Sequence, residues 1–447
     1  MTSLDEATAI EGRGMLRILL CAHDFHPIPS PQSIRVTQLA RELANLGHDV
    51  RILTRTWGAG VLWTDDPLGL QVHRTSPGGV DAVIDAVAGV LRRLRRPRAG
   101  GDVPSTPMTA SEGLNWKGRT VAQLRSMLDA GVFPDGRSRW VSGAVRFGRA
   151  LLRGWSPQVI IGSHEPAAGL MVALRLSQAS GVPFVAELGD PVLTSYTPER
   201  WKGASLEFEG QVCRQAAAIV VTSEATAALL RERHGPLIAP CSVIPQGFPA
   251  MAKGLPEVIR PASGLALVYT GRFYPFRDPM PLVRAVLATP GCTLTIAGPG
   301  LPSELTEACE RHPQVLQFIG SLSHAQALEL QRGADVLINI GNAGMTQIPG
   351  KLLEYLGSGR PVLHLQPDAA DPAAAIIHKE NCGFVAPLEK EAIAKLLRVL
   401  AERKQQGRLD AGLRLGPDAF AEYRWDRLAV RLESVCRSAI RSGQRQA

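Results

Sequence analysis

The chain of 447 residues carries a net charge of +8, with 45% hydrophobic and 20% charged residues. Such a composition excludes wholesale disorder, and the length exceeds one ordinary core, so two domains are expected. No apolar run approaches the length of a membrane span. Nucleic-acid binding is set aside, because no recognised motif is present and aromatic residues make up only 5%. The positive balance favours anionic partners of other kinds, such as nucleotide or lipid phosphates.

Residues 1–14 carry Asp5 and Glu6 and lack an apolar stretch. They read as a loose tail rather than a signal peptide, so a cytoplasmic protein is expected. The seven cysteines are scattered without a CxxC pair, which predicts reduced thiols and no zinc site.

Residues 16–21 (LRILLC) form a short apolar run that predicts a buried first strand. Helical spacing follows over 33–46 in Ile34, Leu39, Leu43 and Leu46, with Ser33 as cap and Gly47 as stop. A second strand is expected over 50–53, so the two strands require a parallel crossover. A third is expected over 71–74. The stretch 80–140 is variable and basic: an amphipathic helix (Val83, Val87, Val90, Leu91, Leu94) leads into a Pro- and Ser-rich loop. Strands at 158–161, 184–187, 218–222 and 242–244 then alternate with helices at 170–179, 206–214 and 223–233, the last capped by Ser223. Residues 246–262 are rich in Gly and Pro and lack a period, as a linker would. Strands at 266–270, 293–297, 314–319, 336–340, 362–364 and 383–385 continue the alternation, with a helix at 280–287. A closing helix over 425–442 could pack on either half.

This alternation predicts an α/β protein of two Rossmann-like domains with parallel sheets. The expected divisions are a tail over 1–14, a first domain over 15–250, a linker over 251–262, a second domain over 263–422 and a terminal helix over 423–447.

Open parallel sheets bind ligands beyond the carboxyl ends of their strands. After the strand at 266–270 comes Gly271-Arg272-Phe273-Tyr274-Pro275-Phe276-Arg277. Two guanidiniums on a bend can grip a diphosphate at several oxygens, or they are two solvated surface arginines. After the strand at 336–340, a loop with Gln347 leads through Pro349 into Gly350-Lys351-Leu352-Leu353-Glu354. Free N–H groups at Gly350 and the Lys351 ammonium would attract phosphate. Glu354 can accept from a ribose diol, or simply sits where an acid suits a helix start. Gly298 follows the strand at 293–297, and Phe318 and Ile319 close the strand at 314–319; these are the candidates for a nucleobase. In the first half, His164 and Asp190 follow two strands.

The segment PGKLLEYLGSGRPVL, together with GRFYPFRDP upstream, resembles the donor half of the retaining glycosyltransferases of the GT-B fold, family four. HDFHPIPSPQSIRVTQLARELANLGHDVRILT resembles that family's first βαβ unit. The resemblance runs over roughly residues 15 to 440. It implies sheets facing across a cleft and a nucleoside-diphosphate sugar donor, such as a UDP- or GDP-sugar. It assigns Arg272 and Arg277 to the donor diphosphate and Glu354 to the ribose. It also implies transfer to a carbohydrate or lipid-linked acceptor in surface polysaccharide or glycolipid assembly, with no cofactor. The chain has no Asp-x-Asp motif, which suits a metal-independent reaction. On this reading Asp190 orients or deprotonates the acceptor, His164 contacts the donor sugar, and both arginines act in catalysis. A peripheral seat on the inner face of an anionic membrane, through Arg92, Arg93, Arg95 and Arg96, belongs to the same reading. The chain departs from the family in two places. Thr346 stands where many members have a Glu, and Pro29-Ser30-Pro31-Gln32 replaces a glycine pair. A degenerate nucleotide-sugar-binding protein and a sugar-nucleotide 2-epimerase on the same fold stay open as alternatives.

Overall fold

The computed structural model describes residues 14–28, 30–56, 69–76, 133–134, 136–236, 238–250, 263–274, 276–342, 348, 350–369 and 371–446. The chain divides into two compact units. One takes in Met1–Ile244 and Ala429–Ala447, the other Pro245–Leu428.

The first unit is built on a seven-stranded sheet in the order β3-β2-β1-β4-β5-β6-β7. Its strands are β1 (Arg17–Cys21), β2 (Asp49–Arg55), β3 (Gln71–Thr75), β4 (Val159–His164), β5 (Phe184–Leu188), β6 (Ala218–Val221) and β7 (Cys241–Val243). Every pairing is parallel. The central strands β1, β4, β5 and β6 are almost wholly buried, as an apolar run without alternation predicts.

Helix α1 (Pro31–Asn45) starts two residues before the sequence reading placed it. Ser30 is the cap, not Ser33: its hydroxyl accepts from the Ser33 N–H at 3.1 Å. Pro31 fits the first helical position because its missing N–H would have no helical partner there. Helix α2 (Trp140–Gly154) was not read from sequence, and its start has no side-chain cap to signal it. Its Gly148 packs on Leu176, where a Cβ would sit 2.6 Å from a methyl. Helices α3 (Ala168–Ser180), α4 (Glu199–Gln215) and α5 (Glu224–His234) complete the alternation, and Ser223 caps α5 as expected. The arginines at 92–98 and the helix expected around Val83–Leu94 lie outside the described residues.

The second unit has a six-stranded parallel sheet in the order β10-β9-β8-β11-β12-β13. Its strands are β8 (Leu265–Thr270), β9 (Cys292–Ala297), β10 (Leu316–Phe318), β11 (Val336–Ile340), β12 (Val362–Gln366) and β13 (Gly383–Pro387). Between them lie α6 (Met280–Leu287), α7 (Ser303–Arg311), α8 (His324–Gly333), α9 (Gly350–Leu356), α10 (Pro372–Glu380) and α11 (Lys390–Gln405). Two buried clusters lie in its core among the described residues. One gathers Leu267, Leu294, Ile338 and Leu397; the other gathers Val268, Leu337, Leu353, Tyr355 and Phe420.

The division differs from the sequence reading at one end of the linker. Residues 245–250 go with the second unit because Phe248 is buried in that second cluster. Its N–H donates to the Tyr423 carbonyl at 3.1 Å, and its carbonyl accepts from Trp425 at 3.0 Å. Residues 251–262 lie outside the described set. The closing helix, α12 (Trp425–Gln446), belongs to the first unit from Ala429 onward. All seven cysteines are free thiols. Among the described residues no helix is long and apolar enough to cross a membrane.

Candidate active site

In the second sheet the strands run outward from β8 in both directions, so the chain order switches between β8 and β11. A crevice opens beyond the strand ends at such a point. Gly271-Arg272 follows β8 and Gly341-Asn342 follows β11. Arg277 ties the two loops together. Its Nη2 donates to Asn342 Oδ1 at 2.5 Å, and its Nη1 lies 3.4 Å from the Tyr269 hydroxyl and 3.5 Å from the Arg272 carbonyl. The guanidinium also stands 5.6 Å from the Tyr274 ring, which stacks on Phe276. Arg277 is thus held in place, while Arg272 beside it is exposed and its guanidinium has no partner among the described residues. Gly298 meets the same loop: a Cβ there would lie 2.1 Å from the Gly271 carbonyl oxygen. Phe318 and Ile319, at the end of β10, are 39% and 44% exposed. Large apolar side chains so uncovered are available to stack on a flat ligand.

Glu354 is buried on α9. Its Oε1 accepts from Lys351 Nζ at 2.9 Å and from Gln331 Nε2 at 2.7 Å. Its Oε2 lies 2.9 Å from His324 Nε2. Burial opposes its ionisation, but the Lys351 charge and the bonds from His324 and Gln331 outweigh it and hold the carboxyl at about 2. The sequence reading set Lys351 on the diphosphate; here its ammonium is paired with Glu354. Gly350 opens α9, which runs for just seven residues. Gln347 and Thr346 lie outside the described residues.

The first sheet switches between β1 and β4. His164 ends β4 and Asp190 lies two residues beyond β5, and these strands are paired. The structure brings the two residues together. His164 Nδ1 donates to the Asp190 carbonyl at 2.7 Å, which fixes the tautomer and leaves Nε2 as an acceptor. Burial lowers the His164 pKa against the pull of Asp190, which favours the neutral ring. Burial, and next the Glu165 charge, push the Asp190 carboxyl up to about 6; His164 and the Tyr196 hydroxyl at 3.5 Å work against them.

Two further arrangements hold this end of the sheet. Arg35 Nε donates to Glu187 Oε1 at 2.6 Å, and Gln32 Nε2 and Ser163 Oγ donate to Glu187 Oε2 at 2.5 and 3.1 Å. Farther along, Leu193 is clamped at both backbone groups. Glu209 Oε2 accepts its N–H at 3.0 Å, and Arg233 Nη1 donates to its carbonyl at 2.8 Å. This fixes the loop three residues beyond Asp190.

Residues 32–247 match the glycosyl transferase 4-like domain, and residues 264–403 match the glycosyl transferases group 1. The chain is a GT-B glycosyltransferase. No curated protein matches it by sequence. Among solved structures, TarM covers 95% of the chain and 99% of its own at 10% identity and a TM-score of 0.59. A glycosyltransferase from Rickettsia africae covers 96% and 99% at 13% identity, TM-score 0.54. WaaG, a glycosyltransferase involved in lipopolysaccharide biosynthesis, covers 95% and 98% at 15% identity, TM-score 0.52. Likeness at such identities shows a shared fold.

Sequence reasoning about this glycosyltransferase missed Gln32, Glu187, Asn342, His324 and Gln331. Two had a signal. Glu187 is an ionisable residue inside the otherwise apolar strand FVAEL, which demands a buried partner. His324 follows Ser323, which forms a capping box with Gln326 and marks the start of α8. The remaining three are ordinary polar residues in loops and helices, whose partners no local pattern names.

Proposed function

We propose that this glycosyltransferase moves a sugar from a nucleoside diphosphate to a carbohydrate or lipid-linked acceptor, with retention of anomeric configuration and without a metal ion. The observation that carries this reading is the switch point of the second unit, where Arg277 is locked between the β8 and β11 loops beside the exposed Arg272. The barrier to transfer lies in breaking the bond from the anomeric carbon to the diphosphate oxygen. Charge then builds on the leaving phosphate, where the preorganised Arg277 guanidinium and the exposed Arg272 stabilise it. Glu354 holds the ribose, and Phe318 and Ile319 offer a surface for the base.

On the acceptor side, the acceptor oxygen attacks the anomeric carbon on the face from which the diphosphate departs, so configuration is retained, and its proton passes to Asp190. A carboxyl near 6 is a better base at neutral pH than an ordinary one. With Asp190 ionised in the active form, kcat/KM rises as pH climbs through about 6 and levels above it. Asp190→Asn removes that rising limb and lowers the plateau by roughly 10²–10⁴-fold. A pH profile of the variant that keeps the limb assigns it to another group.

The reading as a whole is tested by thermal shift with UDP, GDP and their sugars in EDTA. A ligand at a hundred times its dissociation constant stabilises the protein by ~2.7 kcal/mol. We expect a shift with one nucleotide family, lost in Glu354→Ala, and a transferred sugar whose anomeric configuration matches the donor's. A product of opposite configuration refutes retention, and no shift with any nucleotide refutes the donor site.

A further inference from the structure

Glu354 is met by donors from two directions. Lys351 lies one turn before it on α9. Gln331 and His324 both come from α8, seven residues and so two turns apart on one face. Gln331 is fully buried and its amide also donates to Thr270 Oγ1 at 3.0 Å, within 3.1 Å of which lies the Tyr355 hydroxyl. The Oε1 side of the carboxylate is therefore anchored twice, by the buried Gln331 and by Lys351. The Oε2 side is tied to His324 alone among the described residues, and the His324 side chain is 30% exposed.

An ionised carboxylate offers about four acceptor positions and donates nothing. Two donors meet Oε1 and one meets Oε2. The position left open is on Oε2, and because the carboxylate accepts only, His324 must donate through Nε2–H. The ring itself is held in place: it is the first residue of α8, and the capping box of Ser323 and Gln326 fixes that helix start.

We propose that His324 is a positioning residue that aims the Oε2 of Glu354 at a ribose hydroxyl of the donor nucleotide. The inference rests on the reading of Glu354 as the ribose-binding carboxylate. Without the His324 bond, Oε1 stays anchored while Oε2 loses its only described partner. The open lone pair is then no longer directed, and the hydroxyl bond weakens. The same contact helps hold Glu354 ionised, the state in which it accepts most strongly.

Calorimetry with UDP and GDP, each against its 2′,3′-dideoxy counterpart, separates this role from a structural one. The wild-type protein is expected to favour the ribonucleotide by roughly tenfold to hundredfold, the range of a charge-assisted hydrogen bond. His324→Leu is expected to bring that ratio to within about threefold of unity, with the dideoxy affinity nearly unchanged. His324→Gln, which keeps an N–H donor, restores most of the preference. A wild-type preference that survives His324→Leu overturns the inference alone, as does an equal loss of affinity for both nucleotides. A wild-type protein that binds both forms equally overturns the ribose reading of Glu354 and the inference with it.

Discussion

Replacing Arg277 or Arg272 by alanine is expected to lower turnover by about 10²-fold or more, the cost of losing one donor to a transition-state charge. Arg277 has the clearer structural basis. Its guanidinium is fixed by Asn342 and faces the Tyr269 hydroxyl, and its Nε–H has no partner among the described residues. It therefore needs no reorganisation when charge develops, whereas the exposed Arg272 must be ordered by the substrate itself. This difference shows in the kinetics. Arg277→Ala should reduce kcat and kcat/KM together, while Arg272→Ala should also raise KM. Arg277→Lys keeps the charge but not the planar fork and should recover part of the loss. Turnover within threefold of wild type in both alanine variants would remove the two arginines from the chemistry.

The second large effect is on stability. Arg35→Ala is expected to destabilise the first unit by about 3–5 kcal/mol, because Glu187 remains buried with its cation gone. For a unit of this size that is a fall in Tm of roughly 6–20 °C. The loss is more than one ion pair: Arg35 Nη2 also donates to the Ile244 carbonyl at 2.8 Å, so α1, β5 and the end of the sheet separate together. Replacing both partners, as Arg35→Met with Glu187→Leu, should recover much of the stability, since no charge is then left unpaired. Chemical denaturation checks this, and an alanine variant within about 1 kcal/mol of wild type contradicts the account.

Much of the fold was legible in local pattern. The apolar runs at 16–21, 184–187 and 336–340 each became a buried strand of a parallel sheet, because a strand covered on both faces has no reason to alternate. Ser223 was readable as a cap because its hydroxyl serves an N–H three residues on. Local chemistry misled at Ser33, where Ser30 three residues earlier does the same work before a proline. It was silent at Trp140–Gly154, whose start has no side-chain cap.

For the candidate site, sequence by itself determined position along the chain. Arg272, Arg277, His164 and Asp190 were singled out because they follow strand ends, and Glu354 because it sits one turn into the helix after β11; both are local properties. Tertiary structure alone decided which side chains meet. Gln32 reaches Glu187 across 155 residues, Arg277 reaches Asn342 across 65, and His324 reaches Glu354 across 30. It also decided that burial and the Glu165 charge push Asp190 up to about 6. Periodicity and caps depend on atoms a few bonds apart, so a linear reading captures them. Burial, charge pairing and the direction of a lone pair depend on neighbours that only the folded sheet order brings into contact.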